Sequence, residues 1–357
     1  MINKQEISIG WITKVSKENR NADKILVEKG IRALLLLEGL VKQKLSFVFK
    51  GGTALMLHLN STKRLSIDID IVLTIAPDNL GEILDTLAKD QGFLRQALQH
   101  RDINSTIKKE HYKFFYTPIH QSNKLEEYVL LDILFEQLKY SKLEQLPVQS
   151  SFVPAHGEPV FVDVPCLEDL LGDKLTAFAP NTTGIPYFKN EDSRSMEIIK
   201  QLYDIGNLID VVSDANIIKS TFSRFVATEL AYRNKDGISE KEVLDDIFLT
   251  SLCIASRGTD GKGDFEQLQL GIQRIGGFIF SESYHLEKAI THASKAAYLS
   301  ALIRYDADKI LKFENPLQVK DWLIGEPMNT KLNKLKKSNP EAFFYWYTIY
   351  TLSTEGK

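Results

Sequence analysis

The sequence predicts an α+β protein in two parts, a mixed part of strands and helices followed by a mostly helical part. Between residues 45 and 165, short runs of branched and aromatic residues, which are typical of strands, alternate with runs at helical spacing. From about residue 193 to the end, the apolar spacing is helical and strand signals are few. Because 357 residues suffice for two domains, we predict one over residues 1–165 and a second over residues 166–357.

Local spacing and composition predict the individual elements. Residues 21–45 form one long helix, because their apolar positions repeat at helical spacing. Pro77 and Asp78 form a helix start signal, and Pro165 ends the last strand. The other helices are expected over residues 53–59, 78–89 and 167–178, and the strands over residues 47–50, from Asp68 onward, and over residues 111–117, 127–135 and 159–164.

Composition and charge limit the classes of protein that fit. A formal net charge of −3 gives no overall attraction to nucleic acid, so such a contact needs a local basic patch. Cys166 and Cys253 are too few for a disulfide framework or a metal cluster and suit a reducing cytosol. The N-terminus lacks a signal-peptide core, and the apolar run at 33–38 is too short to cross a membrane. We therefore expect a cytoplasmic protein that makes no membrane contact.

Two aspartates one residue apart open the strand that follows the first glycine pair. Side chains alternate along a strand, so Asp68 and Asp70 share a face, and the isoleucines between and beside them share the other. The run Ile71–Leu73 makes the rest of this strand apolar on both faces. A solvated strand face would explain the acids more simply, but a strand buried on both sides leaves idle charges no solvent. These carboxylates are therefore expected at a strand end, bound to a ligand.

The glycine pair Gly51-Gly52, followed by Thr53, lies where a strand turns into a helix. Bare amides at such a helix start form a phosphate cradle, although a glycine pair is also a common turn. Lys63 and Arg64, just before the aspartate strand, are either an exposed loop or phosphate contacts. Phosphate donors beside two acids that bind Mg²⁺ indicate nucleotide chemistry.

A third acid, Asp132, lies in an otherwise apolar strand whose expected neighbour is the Asp68 strand. It is either a strand-end aspartate bonded to a turn or the third carboxylate of a two-metal phosphoryl-transfer site. Lys174 falls in the apolar seam of its helix, where it either extends past the core to solvent or clamps a triphosphate. Lys200 and Asp204, four residues apart, read on spacing alone as a surface pair.

The remaining signals are weaker. The loop at residues 182–184 is either a polar loop over the cleft or a connector. No P-loop, HExxH helix or serine nucleophile elbow occurs, and the seven histidines read as structural or surface residues. Two basic clusters are solvated faces or track an RNA backbone, the first with aromatic residues at positions 112, 114 and 116 for stacking. They are Lys108, Lys109 and Lys113, and Lys331, Lys334, Lys336 and Lys337.

Four separated blocks, in order, resemble the AbiEii/AbiGii nucleotidyltransferase toxin family. They are GGTAL from Gly51, RLSIDID from Arg64, LEDLLGDKLTA from Leu167 and LYDI from Leu202. The resemblance covers about residues 45–210. The chain departs from the family at Lys200-Gln201, where the family often has Arg-Asp, and in the turn after Ala177, which lacks the usual arginine.

The resemblance implies a nucleotidyltransferase core of the DNA polymerase β kind, a mixed sheet with flanking helices, followed by the helical domain. The resemblance implies that Asp68, Asp70 and Asp132 hold one or two Mg²⁺ ions. It implies that Gly51, Gly52, Thr53, Arg64 and Ser66 contact the nucleotide. Lys174 and Asp204 face the nucleotide from the helical domain, and Asp204 thereby gains a role that spacing alone does not give it. The five catalytic candidates are Asp68, Asp70, Asp132, Lys174 and Asp204.

The implied function is transfer of a nucleotide from an NTP to an acceptor hydroxyl, namely the 3′ end of tRNA, with release of pyrophosphate. The protein would be the toxin of a toxin–antitoxin or phage-abortive system, with a cognate antitoxin as partner. Two alternatives stay open from the residues. The acceptor is a protein or a small molecule, or the chain binds a nucleotide or a partner without any transfer.

Overall fold

The structure is a computed structural model that describes residues 1–59, 63–99, 108–120, 124–235 and 237–355. The chain divides into two compact units. The first contains Met1–Cys166 together with the later segment Gly277–Ser283, and the second contains Leu167–Gly276 and Tyr284–Lys357.

The first unit is built from one sheet and helices. Its helices are α1 (Ile9–Glu18), α2 (Lys24–Lys42), α3 (Gly51–His58) and α4 (Leu80–Gln91). Its strands are β1 (Val48–Lys50), β2 (Ile69–Leu73), β3 (Arg95–Leu98), β4 (Lys109–Tyr116), β5 (Glu127–Phe135), β6 (Leu143–Pro147) and β7 (Phe161–Pro165). The predicted strand over residues 127–135 is confirmed as β5 without a shift, and the predicted long helix over residues 21–45 is confirmed as α2.

The seven strands form one mixed sheet in the order β3-β4-β5-β2-β1-β7-β6. Strand β2 is parallel to β5 and antiparallel to β1, and β1 is parallel to β7. The remaining neighbours pair antiparallel. The predicted fold class, a mixed sheet with flanking helices followed by a helical region, is confirmed.

One face of the sheet is covered by helices. Helix α2 packs on β2 and β5, and its leucine run Leu34–Leu37 is fully buried in the core. Along β5, buried residues alternate with more exposed ones, as expected for a strand packed on one side only. In β2, by contrast, Ile71, Val72 and Leu73 are all buried, which confirms that this strand is apolar on both faces.

Three elements of the first unit lie outside the predicted set: α1, β3 and β6. Strands β3 and β6 are the two edges of the sheet. Their sequences, RQAL and LEQLP, mix polar residues with few branched ones, and β6 ends in a proline. An edge strand has a neighbouring strand on one side only, and it therefore tolerates polar residues and proline. This composition weakens the sequence signal for a strand.

The second unit is helical apart from a small hairpin. Its helices are α5 (Leu167–Ala177), α6 (Ser195–Leu208), α7 (Ala215–Tyr232), α8 (Glu240–Ala255), α9 (Phe265–Arg274), α10 (Leu286–Arg304), α11 (Leu335–Ser338) and α12 (Pro340–Glu355), and the hairpin strands are β8 (Phe188–Lys189) and β9 (Asp192–Ser193). Helix α10 packs against α6, α8 and α12, and its many buried alanines allow this close approach on several sides. Among the helices in the described ranges, none is both long and apolar enough to cross a membrane.

Candidate active site

A row of polar residues crosses four adjacent strands of the first unit. In the strand register, Asp70 of β2 pairs with Asp132 of β5 on one side and with Lys50 of β1 on the other. Asp132 in turn pairs with His111 of β4. Paired residues on neighbouring strands point to the same face, so all four side chains share one face of the sheet. The prediction that the Asp132 strand neighbours the aspartate strand is confirmed.

Asp68 differs slightly from its predicted position. Strand β2 begins at Ile69, so Asp68 lies one residue before the strand and Asp70 lies within it. The Thr53 hydroxyl donates a hydrogen bond of 2.7 Å to the backbone carbonyl oxygen of Asp68. Thr53 is buried, whereas both aspartates are partly exposed. Thr53 therefore fixes the backbone at the strand entrance and leaves the two acids accessible.

The turn into α3 requires glycine at the first residue of the helix, Gly51. Its φ is +82°, a conformation that residues with a side chain rarely adopt. A Cβ at this position would lie 2.3 Å from Oδ2 of Asp70. The Asp70 carboxylate therefore occupies the space that any other residue would fill, and backbone and acid are in close contact.

Gly52 is likewise in close contact with the basic loop, the segment that contains Lys63 and Arg64. A Cβ there would lie 2.6 Å from Nη2 of Arg64 and 2.8 Å from Oγ of Ser66. Arg64 is only 8% exposed, so the interpretation of Arg64 as an exposed loop residue is wrong. The structure brings together Gly51, Gly52, Asp70, Arg64 and Ser66, which the sequence predicts as site residues.

The later segment 277–283 holds this basic loop in place. The amide of Leu65 donates to the Phe278 carbonyl oxygen over 2.8 Å, and the amide of Phe280 donates to the Lys63 carbonyl oxygen over 3.3 Å. Arg64 and Ile279 form an isolated β-bridge. No local sequence signal marks this segment, because its role depends on pairing with a loop far away in the chain.

His111 is a member of the row that sequence reasoning missed. Its Nδ1 lies 2.7 Å from Oδ1 of Asp132, and the side chains are 13% and 33% exposed. Asp132 is therefore bonded to a neighbouring strand rather than to a turn. The alternation in β4 is the signal that could have found His111, because it assigns His111 to the face opposite the buried aromatic residues.

The donor chemistry of the row suits a hard divalent cation such as Mg²⁺, which prefers carboxylate oxygens. Asp70 and Asp132 are cross-strand neighbours, and both side chains are partly exposed. Within the described part of the chain, no three His, Cys, Asp or Glu side chains are grouped so that they could hold a metal ion.

In the second unit, Lys174 of α5 and Asp204 of α6 form an ion pair of 2.8 Å, and their side chains are 8% and 5% exposed. Lys174 Nζ also lies 3.4 Å from Oε1 of Gln201. The interpretation of Lys174 as a residue that extends to solvent is therefore wrong. Asp204 is too buried for the surface pair that its spacing from Lys200 suggests.

The residues beside Asp204 fix helix α6 against α10. The Tyr203 ring meets the Tyr284 ring edge to face, with centroids 5.2 Å apart. A Cβ on Gly206 would lie 2.1 Å from the His292 ring, so only glycine fits there. In the block LYDI, Tyr203 therefore packs the helix, and Asp204 makes the ion pair.

The loop at residues 182–184 is a connector. The amide and side chain of Asn181 and the Thr182 hydroxyl all bond to the Asp246 carboxylate, at 2.6–2.9 Å. Thr183 is buried, and a Cβ on Gly184 would lie 2.4 Å from the Ala179 amide nitrogen. These contacts explain the polar residues of the loop without a ligand.

The aromatic residues beside the first basic cluster lie in the core. Tyr112, Phe114 and Tyr116 are at most 6% exposed. Burial, together with the Glu110 carboxylate, raises the pKa of Tyr112 well above its usual range. The interpretation that these three rings stack RNA bases is wrong, because the pleat of β4 points them into the hydrophobic core.

Two solved structures are similar to this protein. The structure resembles the nucleotidyltransferase toxin MenT4 (Rv2826c) of Mycobacterium tuberculosis, with a TM-score of 0.53 and 12% identity over 95% of this chain and 98% of that one. It is also similar to JHP933 from Helicobacter pylori, with a TM-score of 0.41 and 17% identity over 78% of this chain and 90% of that one. The likeness to MenT4 shows the fold alone. No curated protein matches the sequence.

The family assignment comes from a sequence profile. The profile described as "Nucleotidyl transferase AbiEii toxin, Type IV TA system" matches residues 35–277, which is more than half of the chain. The match includes every site residue discussed above, from Gly51 to Asp204. The chain is therefore a nucleotidyltransferase and belongs to the AbiEii toxin family of type IV toxin–antitoxin systems.

Proposed function

We propose that this toxin transfers a nucleotide from an NTP to the 3′-terminal hydroxyl of a tRNA in a reaction that depends on Mg²⁺. The observation that carries the proposal is the close contact between the Asp70 carboxylate and Gly51. Asp70 is paired in register with Asp132, and the adjacent residue Gly52 contacts Arg64. Acids for a cation and donors for phosphates thus lie side by side within the first unit.

The proposed reaction is one displacement at phosphorus. The acceptor oxygen forms a bond to the α-phosphorus of the NTP and loses its proton. The bond from that phosphorus to the bridging oxygen breaks, and pyrophosphate leaves with the electron pair. Such transfers need positioning and neutralisation of charge more than covalent chemistry from the protein.

The residues of the first unit divide this work. Asp70 and Asp132 would hold Mg²⁺ together with phosphate oxygens of the NTP, and Asp68 would add a further carboxylate from the strand entrance. When bound, Mg²⁺ would neutralise charge on the phosphates. The backbone at Gly51 and Gly52, with Ser66, orients the phosphate chain, and the Arg64 guanidinium offers it planar donors. Thr53 supports this arrangement through its hydrogen bond to the Asp68 backbone. Asp132, oriented by His111, is also the group proposed to help remove the proton from the acceptor hydroxyl.

Lys174 and Asp204 are also proposed to take part in nucleotide binding. The support is their common burial in one ion pair, together with their presence in the matched family blocks. Membership of a type IV toxin–antitoxin family also implies an antitoxin partner. We propose that both proteins act in the cytoplasm.

The test is to incubate the purified protein with Mg²⁺, each of four α-labelled NTPs in turn and total bacterial tRNA. We expect label on tRNA from at least one NTP, and no label with EDTA or with Asp70→Ala. Label on protein or on a small molecule, with tRNA unlabelled, would overturn the proposed acceptor. Label on tRNA that persists in Asp70→Ala would overturn the proposed site.

A further inference from the structure

A second group of side chains lies on the same sheet face as the polar row. In β4, His111, Lys113 and Phe115 alternate with the buried aromatic residues and therefore share the face of Asp132. Phe115 pairs in register with Tyr128 of β5 and with Arg95 of β3. We call Arg95, Lys113, Phe115 and Tyr128 the aromatic platform.

The two rings of the platform contact each other, and each ring also contacts a cation. The Phe115 and Tyr128 rings have centroids 5.9 Å apart. The Arg95 guanidinium lies 3.7 Å from the Phe115 centroid, and Lys113 Nζ lies 4.5 Å from the Tyr128 centroid. Arg95 also pairs with Glu126 at 2.9 Å. Each ring is therefore in contact with a cation, and Lys29 of α2 also lies 5.5 Å from the Tyr128 centroid. Tyr128 is 36% exposed.

The position of the platform relates it to the acids. Tyr128 precedes Asp132 by four residues in β5, which is about 13 Å along an extended strand. The side chain between them on this face is Leu130, paired with Lys113. A nucleic-acid strand lying along the platform would therefore reach the row that contains Asp70 and Asp132 within a few nucleotides.

We propose that the aromatic platform binds the single-stranded 3′ segment of the RNA acceptor, so that its terminal hydroxyl reaches the carboxylate row. This inference rests on the proposed function and names the surface that holds its acceptor. Exposed aromatic rings with neighbouring cations are how proteins bind unpaired nucleotides, since bases stack on the rings and the cations track the phosphates. The formal net charge of −3 makes such a local patch necessary, because the chain as a whole does not attract RNA.

The first test measures binding without transfer. A fluorescently labelled single-stranded RNA oligonucleotide is titrated with the full-length protein in buffer without Mg²⁺ and NTP, and anisotropy gives the Kd. We expect Tyr128→Ala to raise the Kd about five- to a hundredfold, the usual effect of losing one stacked base. Tyr128→Trp, which keeps an aromatic ring, should stay within about threefold of the unchanged protein.

The matched control is Phe161→Ala. Phe161 is an exposed aromatic residue, 52% accessible, on β7 of the same sheet, two strands beyond β2 on the side away from β5. Its removal should leave the Kd unchanged. Equal weakening by Phe161→Ala and Tyr128→Ala would overturn the proposal, as would unchanged binding by both Tyr128→Ala and Phe115→Ala, or no RNA binding by the unchanged protein.

The cations give a second readout that a change in packing does not produce. Lys113→Gln and Arg95→Gln should each reduce the slope of log K against log salt concentration by about 0.7, the value for one phosphate contact on a single strand. An unchanged slope in both variants would overturn the proposed path of the backbone.

A transfer assay separates this inference from the proposed function. We expect Tyr128→Ala to raise the KM for tRNA while the KM for the NTP and the kcat at saturating tRNA stay unchanged. If the unchanged protein labels tRNA and Tyr128→Ala has a normal KM for it, the platform is wrong and the proposed function stands. If the unchanged protein labels no RNA, the proposed function fails, and the binding assay still decides whether the platform holds RNA.

Discussion

The acids of the first unit remain partly open to solvent, whereas the ion pair of the second unit is closed. Asp132 keeps 33% of its side chain exposed beside His111, and Asp204 keeps 5% beside Lys174. The first group is held by backbone contacts and a cross-strand hydrogen bond, and the second by a direct charge pair between two helices. A partly exposed carboxylate is in contact with the solvent from which a ligand would come, whereas the Lys174–Asp204 pair is closed off from it.

This difference predicts how mutational effects divide between activity and stability. Changes in the first group should reduce turnover and leave the free energy of unfolding nearly unchanged. Changes in the ion pair should reduce stability first, because removal of one partner leaves a buried charge without compensation. Measuring both quantities for each variant therefore tests the comparison directly.

The largest effect is expected for Asp70→Ala. Loss of this carboxylate should lower kcat about a thousandfold or more, because it removes a proposed metal ligand. The thermal midpoint should shift little, since Asp70 is partly exposed. Asp192→Ala, which changes an aspartate that is 82% exposed, is the control and should leave both quantities unchanged. Near-normal turnover in Asp70→Ala would contradict the account of the first unit.

The next effect is on stability. Lys174→Met should lower the free energy of unfolding by about 3–5 kcal/mol, because Asp204 stays buried without its cation. The double variant Lys174→Met/Asp204→Leu should recover most of this loss. Lys14→Met, in a pair with Glu18 that is more than half exposed, should change stability by less than about 1 kcal/mol.

Urea denaturation of these variants is the measurement. If Lys174→Met unfolds at the same urea concentration as the unchanged protein, the pair is not closed in solution, and the contrast between the two units disappears.

A smaller effect is expected for Gly51→Ala, with Gly92→Ala as its matched control. Both glycines have positive φ, +82° and +78°, but a Cβ at Gly92 meets nothing within 4 Å. Both variants should lose about 1–3 kcal/mol of stability from backbone strain. Only Gly51→Ala should also lose turnover, because its Cβ would displace the Asp70 carboxylate. Equal turnover in the two variants would show that the contact with Asp70 has no role in the reaction.

The smallest effect is expected for His111→Ala, because we propose that His111 acts only through Asp132, a proposed metal ligand. We expect kcat to fall about tenfold, the usual effect of losing a group that orients a metal ligand. The KM for the NTP should change less than kcat. His111→Gln, which keeps a hydrogen-bond donor, should recover part of the loss, and no recovery would count against a positioning role.

Sequence reasoning reached what local patterns determine. The strand position of Asp132, the burial of Ile71–Leu73 on both faces and the apolar seam around Lys174 all follow from spacing within one element. Alternation in β4 could have assigned His111 to the face opposite the aromatic residues, but its contact with Asp132 depends on the register of β4 against β5, which no local pattern contains. The hold of segment 277–283 on the basic loop was missed for the same reason.

The role of Asp204 was indicated by the family resemblance and not by the spacing of residues. On spacing alone, Asp204 reads as half of a surface pair, and its burial against Lys174 depends on the packing of α5 on α6. Likewise, the aromatic residues of β4 could be assigned to a face only once β4 and β5 were aligned. Alternation marks which residues share a face but not which face meets the core.

The most direct test of transfer at the α-phosphorus by the Asp70 site compares two labelled forms of one NTP. The NTP that supports transfer is supplied with label at either the α- or the γ-phosphorus, to the unchanged protein and to Asp70→Ala. The account predicts that α-label enters the acceptor and γ-label leaves in pyrophosphate, with both signals lost in Asp70→Ala. Transfer of γ-label to the acceptor, or equal turnover by Asp70→Ala, would contradict it.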